Sequence, residues 1–123
     1  MTGTKIDATD ADFATAVLEA SKERPVVVDF WATWCAPCRA LGPILEKVAQ
    51  ERGGAFLLAK VDTDANPMVA GQLGVQSIPT VVAFRDGRPV DGFVGALPEA
   101  QVNAFIDRLL PTAGDVAASD AAA

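Results

Sequence analysis

The sequence predicts an α/β fold built on a mixed sheet, and three observations carry that reading. Long apolar runs alternate along the chain with segments of helical periodicity, the pattern of parallel strands joined by crossover helices. A late Asp86-Gly87 pair between two apolar runs marks a tight hairpin, which adds antiparallel strands. The two cysteines of the chain, Cys35 and Cys38, fall where a hydrophobic strand gives way to a helix.

Ile6 lies in a short leading strand. Thr9 or Asp10 is suited to cap a helix running to about Ser21, with Phe13, Val17 and Leu18 turned inward. Val26 to Trp31 reads as a strand apolar on both faces and therefore buried on both. Leu41, Ile44, Leu45, Val48 and Ala49 recur at helical spacing, and Gly53-Gly54 ends that helix. Residues 55–62 form a second long apolar strand. Asn66-Pro67 opens a short helix that reaches about Leu73, where Gly74 breaks it. Residues 80–84 and 88–94 are the two arms of the hairpin. Pro98 starts a last helix with Val102, Phe105, Ile106 and Leu109 on one face. Residues 1–110 thus make one domain, while residues 111–123 hold almost nothing large to bury and read as a flexible Ala-rich tail or a truncated linker.

A chain of 123 residues, half of them hydrophobic, suits one domain with one core. Sixteen acidic residues against ten basic ones give a net charge of −6, which argues against nucleic acid or an anionic membrane as the main partner. No stretch approaches the roughly 20 apolar residues that span a bilayer. The N-terminus lacks an apolar signal core. The cytoplasm is the expected location, where thiols stay reduced and a C-x-x-C pair is catalytic more often than structural. Nothing in the sequence demands more than a monomer.

Cys35 falls at the first turn of the helix that follows the strand. Unpaired N–H groups and the helix dipole favour a negative sulfur there. Such a cysteine can titrate at roughly 3.5–7.5 instead of about 8.5. Cys35 is therefore the candidate nucleophile, and Cys38, one turn further in and expected to be less exposed, the resolving thiol. Pro37 suits an early helix position, which needs no backbone donor. A zinc site wants about four ligands, and this chain has no histidine and no further cysteine, so a metal would need a second chain or unusual ligands. A purely structural disulfide would close a tiny loop and constrain the unfolded chain little. Asp29 stands in the apolar strand, and the plain reading is a carboxylate facing solvent or paired with Lys60. Lys60 reads equally well as a solvated residue or as a group that modulates Asp29, while Arg39 reads first as a solvated helix residue and second as one that tunes charge near the cysteines.

Residues 28–38, Val-Asp-Phe-Trp-Ala-Thr-Trp-Cys-Ala-Pro-Cys, resemble the active-site segment of the thioredoxin family. Pro43, Lys60-Val61-Asp62, Ser77-Ile78-Pro79-Thr80, Asp86-Gly87 and Gly95 match further family motifs in the right order. The resemblance covers roughly residues 4–110 and implies a thioredoxin fold, a central mixed five-stranded sheet flanked by four helices. It implies a protein-disulfide reductase that carries no cofactor beyond its own redox-active disulfide and draws electrons from NADPH through a separate thioredoxin reductase. Its clients are disulfide-containing proteins. The resemblance makes Asp29 a buried acid beneath the cysteines, able to take a proton from Cys38, with Lys60 modulating it. It makes Pro79 a cis-proline that leaves the Ile78 backbone free for an extended substrate. Trp31 packs inward by family position, whereas Trp34, Ala36, Pro37, Ile78, Pro79 and Gly95 belong to the substrate surface, with Val94 and Ala96 on its rim. Two departures stand out: Ala36 replaces the family's usual glycine beside the attacking sulfur, and Ser77 stands where glycine is common. Residues 90–99 and 109–111 also resemble the thioredoxin domain of co-chaperedoxins, which hold unfolding clients, protect their cysteines and work beside a chaperone system. A weaker alternative is a structural subunit that grips one partner through the same groove.

Overall fold

The computed structural model describes residues 3–110. The expected tail at 111–123 lies outside the described residues. Five strands, β1 (Lys5–Asp7), β2 (Val26–Trp31), β3 (Leu57–Asp62), β4 (Thr80–Arg85) and β5 (Arg88–Val94), form one sheet in the order β1-β3-β2-β4-β5. The β1–β3 and β2–β3 pairs are parallel, while β2–β4 and β4–β5 are antiparallel. The sheet is mixed, as the alternating elements and the late hairpin predict. Four helical segments flank it: a π-helical stretch Ala14–Glu19 that continues as a 3-10 turn Ala20–Lys22, then α1 (Ala36–Glu51), α2 (Pro67–Gln72) and α3 (Glu99–Leu109).

The central strand explains the layering. Successive side chains of a strand point to opposite faces. Val27 meets Leu41, Leu45 and Val48 of α1 and Phe105 and Ile106 of α3 in one fully buried cluster. Val26, Val28 and Phe30 pack on the other face with Phe13, Val17, Val69 and Phe84. A strand with helices on both faces has no solvent side, so its sequence reads as one continuous apolar run. Burial of each such Phe or Leu contributes roughly 1.5–3 kcal/mol relative to exposure.

The first helical segment departs from the expected regular helix. Thr9 Oγ1 accepts from the Asp12 N–H (3.2 Å) and Asp12 Oδ1 accepts from the Thr9 N–H (2.7 Å), a reciprocal cap. Asp10 turns away from this helix. Its carboxylate accepts from the Met68 and Val69 N–H groups (3.1 and 2.9 Å) and so caps α2 across the molecule. The chain then winds in π and 3-10 turns that place Phe13 and Val17 inward and leave Leu18 half-buried.

The hairpin turn has Asp86 at φ 54° and Gly87 at φ 82°, the left-handed pair of a type I′ turn. Buried Ser21 holds it: its carbonyl accepts from the Asp86 N–H (2.9 Å) and its Oγ from the Gly87 N–H (2.8 Å). Further along β5, Gly92 faces Val82, close to an irregularity at Ala83/Phe84. A methyl group at position 92 would stand 2.8 Å from the Val81 carbonyl oxygen, closer than carbon and oxygen tolerate. Gly92→Ala is expected to destabilise the protein by about 1–3 kcal/mol through forced backbone displacement. Urea denaturation checks this, as a lower midpoint with an unchanged slope.

Candidate active site

The site forms where β2 runs out and α1 begins. Cys35 is the N-cap of α1, in extended conformation (φ −90°, ψ 108°), and its Sγ accepts from the Cys38 N–H at 3.2 Å. That contact is the one expected of a sulfur at a helix start: the first N–H groups have no partner inside the helix and can hold a negative charge. Pro37, without an N–H, sits in this first turn and forfeits no bond. Cys35 and Cys38 are joined in a disulfide, with their Cα atoms 5.3 Å apart. Ala32, Trp31 and Ile78 pack around the pair.

Burial does not separate the two sulfurs as expected. Cys35 is 3% exposed and Cys38 4%. In the closed disulfide each sulfur covers the other, so Cys35 is distinguished by its place at the N-cap and not by exposure. Ala36 and Pro37, between them, are exposed.

The Ile78–Pro79 peptide is cis. Pro79 itself is buried and Ile78 half-buried, so Ile78 is the part of this pair that reaches the surface. Its backbone N–H and C=O make no hydrogen bond among the described residues. The Pro79 carbonyl accepts from the Gly95 N–H (2.8 Å), which brings Gly95, at φ 92°, to the same edge. Trp34 is 66% exposed, and its Nε1 donates to Asp64 Oδ2 at 2.9 Å. Trp34, Ala70, Val75 and Ile78 line a shallow, largely apolar depression of about 410 Å³. The exposed Val94 continues the apolar rim beyond Gly95.

Asp29 is 1% exposed, and neither carboxyl oxygen has a hydrogen-bond partner among the described residues. By strand alternation it shares the α1 face of β2 with Val27 and Trp31. Burial pushes its carboxyl up from 3.8 to about 6, with the Lys60 charge opposing and the Glu46 charge adding. Asp29 and Lys60 are register partners on β2 and β3. The simple Asp29–Lys60 pair is nonetheless absent. Lys60 Nζ lies 2.9 Å from Glu46 Oε2 and 5.3 Å from the centre of the Trp31 ring. The Lys60 hydrogen bond in turn holds Glu46 below the ordinary carboxylate range. Trp31 is only half-buried, although its Nε1 is enclosed and has no partner among the described residues. Arg39 is exposed and donates to the Thr33 carbonyl (3.0 Å).

Sequence reasoning missed Glu46 and Asp64. Glu46 follows Arg39 and Gly42 at seven and four residues, so helical spacing places it on the face that passes Lys60. Asp64 carries no local signal, since its contact with Trp34 depends on how β3 exits the sheet. Among the described residues there is no cluster of three or more His, Cys, Asp or Glu arranged for a metal ion. None of the helices described is long and apolar enough to cross a membrane.

A disulfide closed across one turn at a helix start, set into a mixed five-stranded sheet and bordered by an apolar rim, is the arrangement of a thiol–disulfide exchange protein. The thioredoxin family profile matches residues 4–108. Similar proteins include a thioredoxin of Chlorobaculum thiosulfatiphilum, 45% identical over 85% of this chain and 95% of the relative. A thioredoxin of Mycobacterium tuberculosis is 47% identical over 86% of this chain and 90% of its own length. A bifunctional thioredoxin reductase/thioredoxin of Mycobacterium leprae is 43% identical over 89% of this chain, which covers 23% of that longer protein. The chain belongs to the thioredoxin family. With its Cys35–Cys38 pair at the family spacing it is a dithiol–disulfide oxidoreductase, a disulfide reductase, and these relatives do not favour the co-chaperedoxin reading.

The buried carboxyl links stability to pH. Folded Asp29 keeps its proton to about pH 6, whereas the unfolded chain releases it near 3.8. Its contribution is therefore most favourable below about pH 4 and is lost as pH rises to about 6, a change of about 3 kcal/mol. Asp29→Asn is expected to gain roughly that much stability relative to the parent between pH 4 and pH 8. Denaturant midpoints of both proteins across this range check it.

Proposed function

We propose that this chain reduces disulfides in client proteins, with Cys35 as nucleophile, Cys38 as resolving thiol and Asp29 as proton acceptor. One observation carries the assignment of roles: the Cys35 sulfur, not that of Cys38, sits at the head of α1 and accepts a backbone N–H. Ionised Cys35 attacks one sulfur of the client disulfide. The client S–S bond breaks, a mixed disulfide forms, and the departing client thiolate takes a proton. Asp29, ionised above about pH 6, then accepts the Cys38 proton. The Cys38 thiolate attacks the Cys35 sulfur, the mixed disulfide breaks, and the second client sulfur leaves as a thiolate that takes up a proton. Two electrons have passed to the client, and the Cys35–Cys38 disulfide remains.

The rim around the sulfurs suits an extended peptide. The Ile78 N–H and C=O can pair with a client backbone in the manner of an added strand. Trp34, Ala36, Pro37 and Ile78 offer apolar contact, and Gly95 lets the client chain come close. Lys60 modulates Asp29 by its charge. Electrons return to the disulfide from NADPH through a separate thioredoxin reductase, a pairing supported by the Mycobacterium leprae relative in which both activities share one name. A reducing compartment, the cytoplasm, fits this cycle.

Insulin reduction with NADPH and a bacterial thioredoxin reductase tests the reading. Cys35→Ser is expected to abolish turnover, and Cys38→Ser to stall as a trapped mixed disulfide visible on a non-reducing gel. Asp29→Asn should keep its fold and slow turnover by up to about 10²-fold at neutral pH, the low end for a general base. Unchanged turnover in that variant across pH 6–9 would remove Asp29 from the mechanism. The redox potential gives a further check. A reductant of this kind lies near −270 mV and a strong oxidase near about −120 mV, a gap of roughly 7 kcal/mol. A value above about −200 mV would reject the proposed direction.

A further inference from the structure

The charges next to Asp29 are arranged in an unexpected way. Lys60 stands opposite Asp29 in the β2–β3 register, yet its ammonium is drawn to the helix side. There it meets Glu46 Oε2 at 2.9 Å and lies under Gly42, whose missing side chain leaves a Cβ position 3.5 Å from Nζ. Glu46 is held in turn by Lys5 of β1, whose Nζ is 3.4 Å from Oε1. The Lys60 side chain is 18% exposed and that of Glu46 34%, so the pair is only partly screened by water. The same crevice, between α1 and the sheet, is lined by Trp31, Cys38, Gly42, Glu46 and Lys60 and opens beside the resolving cysteine.

We propose that Glu46 is a positioning residue: it holds the Lys60 ammonium against α1 and so keeps the cation that faces Asp29 across the sheet from pairing directly with it. This rests on the reading of Asp29 as the proton acceptor. The groups around Asp29 fit the assignment. Lys60 faces it from β3, and Glu46 reaches toward Lys60 from α1. Lys5 touches only the far oxygen of Glu46. Arg39, also on α1, is turned to the Thr33 carbonyl, and β4 presents Val81 opposite Asp29. Released from Glu46, the flexible lysine has an unpartnered buried carboxylate within its reach, and an opposite charge at that range favours the ionised form. A carboxyl made permanently ionic by its own ion pair is a poor acceptor for the Cys38 proton. Glu46 thereby keeps Asp29 able to change its charge near neutrality.

Carboxyl NMR titration of the full oxidised chain, in which the cysteines do not titrate, tests this. In Glu46→Gln the Asp29 midpoint is expected to fall by about one pH unit, a tenfold change in its protonation ratio. In a Lys60→Met background the same substitution should move it far less, because only the through-space charge of Glu46 is then lost. An unmoved midpoint, or an equal fall in both backgrounds, overturns the proposal. Insulin reduction by the same variants across pH reads the catalytic role separately. A titration that shifts while the rate profile does not would strike Asp29 from the mechanism and leave the hold of Glu46 on Lys60 in place.

Discussion

The junction between β2 and α1 is the constraint on which the rest of the structure depends. β2 is buried on both faces, so its position is fixed by two packed layers. It delivers the chain directly into the first turn of α1. The helix itself is anchored by Leu41, Leu45, Val48 and Ala49 in the core. β2 cannot shift without opening both hydrophobic clusters, nor α1 without opening the one it shares with α3. The sulfur of Cys35 is therefore held at the helix start by packing far from the site, and the electrostatics of that start come from backbone N–H groups that every helix has. Only the residue placed there is special.

Against this well-packed frame stands a buried carboxyl without a hydrogen-bond partner among the described residues. Asp29 occupies a position that any aliphatic residue would fill at lower energy, since a buried polar group without a partner loses its hydration and gains nothing in return. Glu46 and Lys60 compensate one another at the crevice instead of compensating Asp29. Stability alone would favour an apolar residue, or failing that a direct Asp29–Lys60 pair. The arrangement observed leaves the carboxyl with a midpoint of about 6, where a proton can be taken up or released at physiological pH. Local destabilisation of this kind fits the proton-accepting role proposed for Asp29.

Most of the fold was legible because its signals are local. The double-faced apolar run of β2, the spacing of Leu41, Leu45 and Val48, and the Asp86-Gly87 turn each specify an element within a few residues. The cysteine pair was legible for the same reason: motif and helix start coincide. Three features were hidden because they depend on distant partners. Asp10 caps α2 and not its own helix, which only the packing of the first helical segment against α2 decides. The partner of Lys60 is Glu46, chosen by the close passage of α1 at Gly42, whereas strand neighbours alone suggest Asp29. The equal burial of the two sulfurs follows from the closed disulfide, which a sequence does not report.

The surface around the sulfurs bears on client range. It presents an exposed indole, small apolar side chains, a glycine, and an Ile78 peptide unit that makes no hydrogen bond among the described residues. None of these reads a particular client side chain by charge or by paired hydrogen bonds. Backbone pairing and apolar contact are available to almost any extended segment, so under the proposed function selection would fall on whether a client disulfide can be presented in an open strand. Charge enters at longer range. With a net charge of −6 the chain attracts basic clients and repels acidic ones before contact, an effect on encounter rate that salt screens. Asp64 adds to this locally by fixing the indole of Trp34 and placing a carboxylate at the edge of the depression. On the function proposed, contact chemistry leaves the range of clients broad, and the field of the net charge bears on how fast each is met.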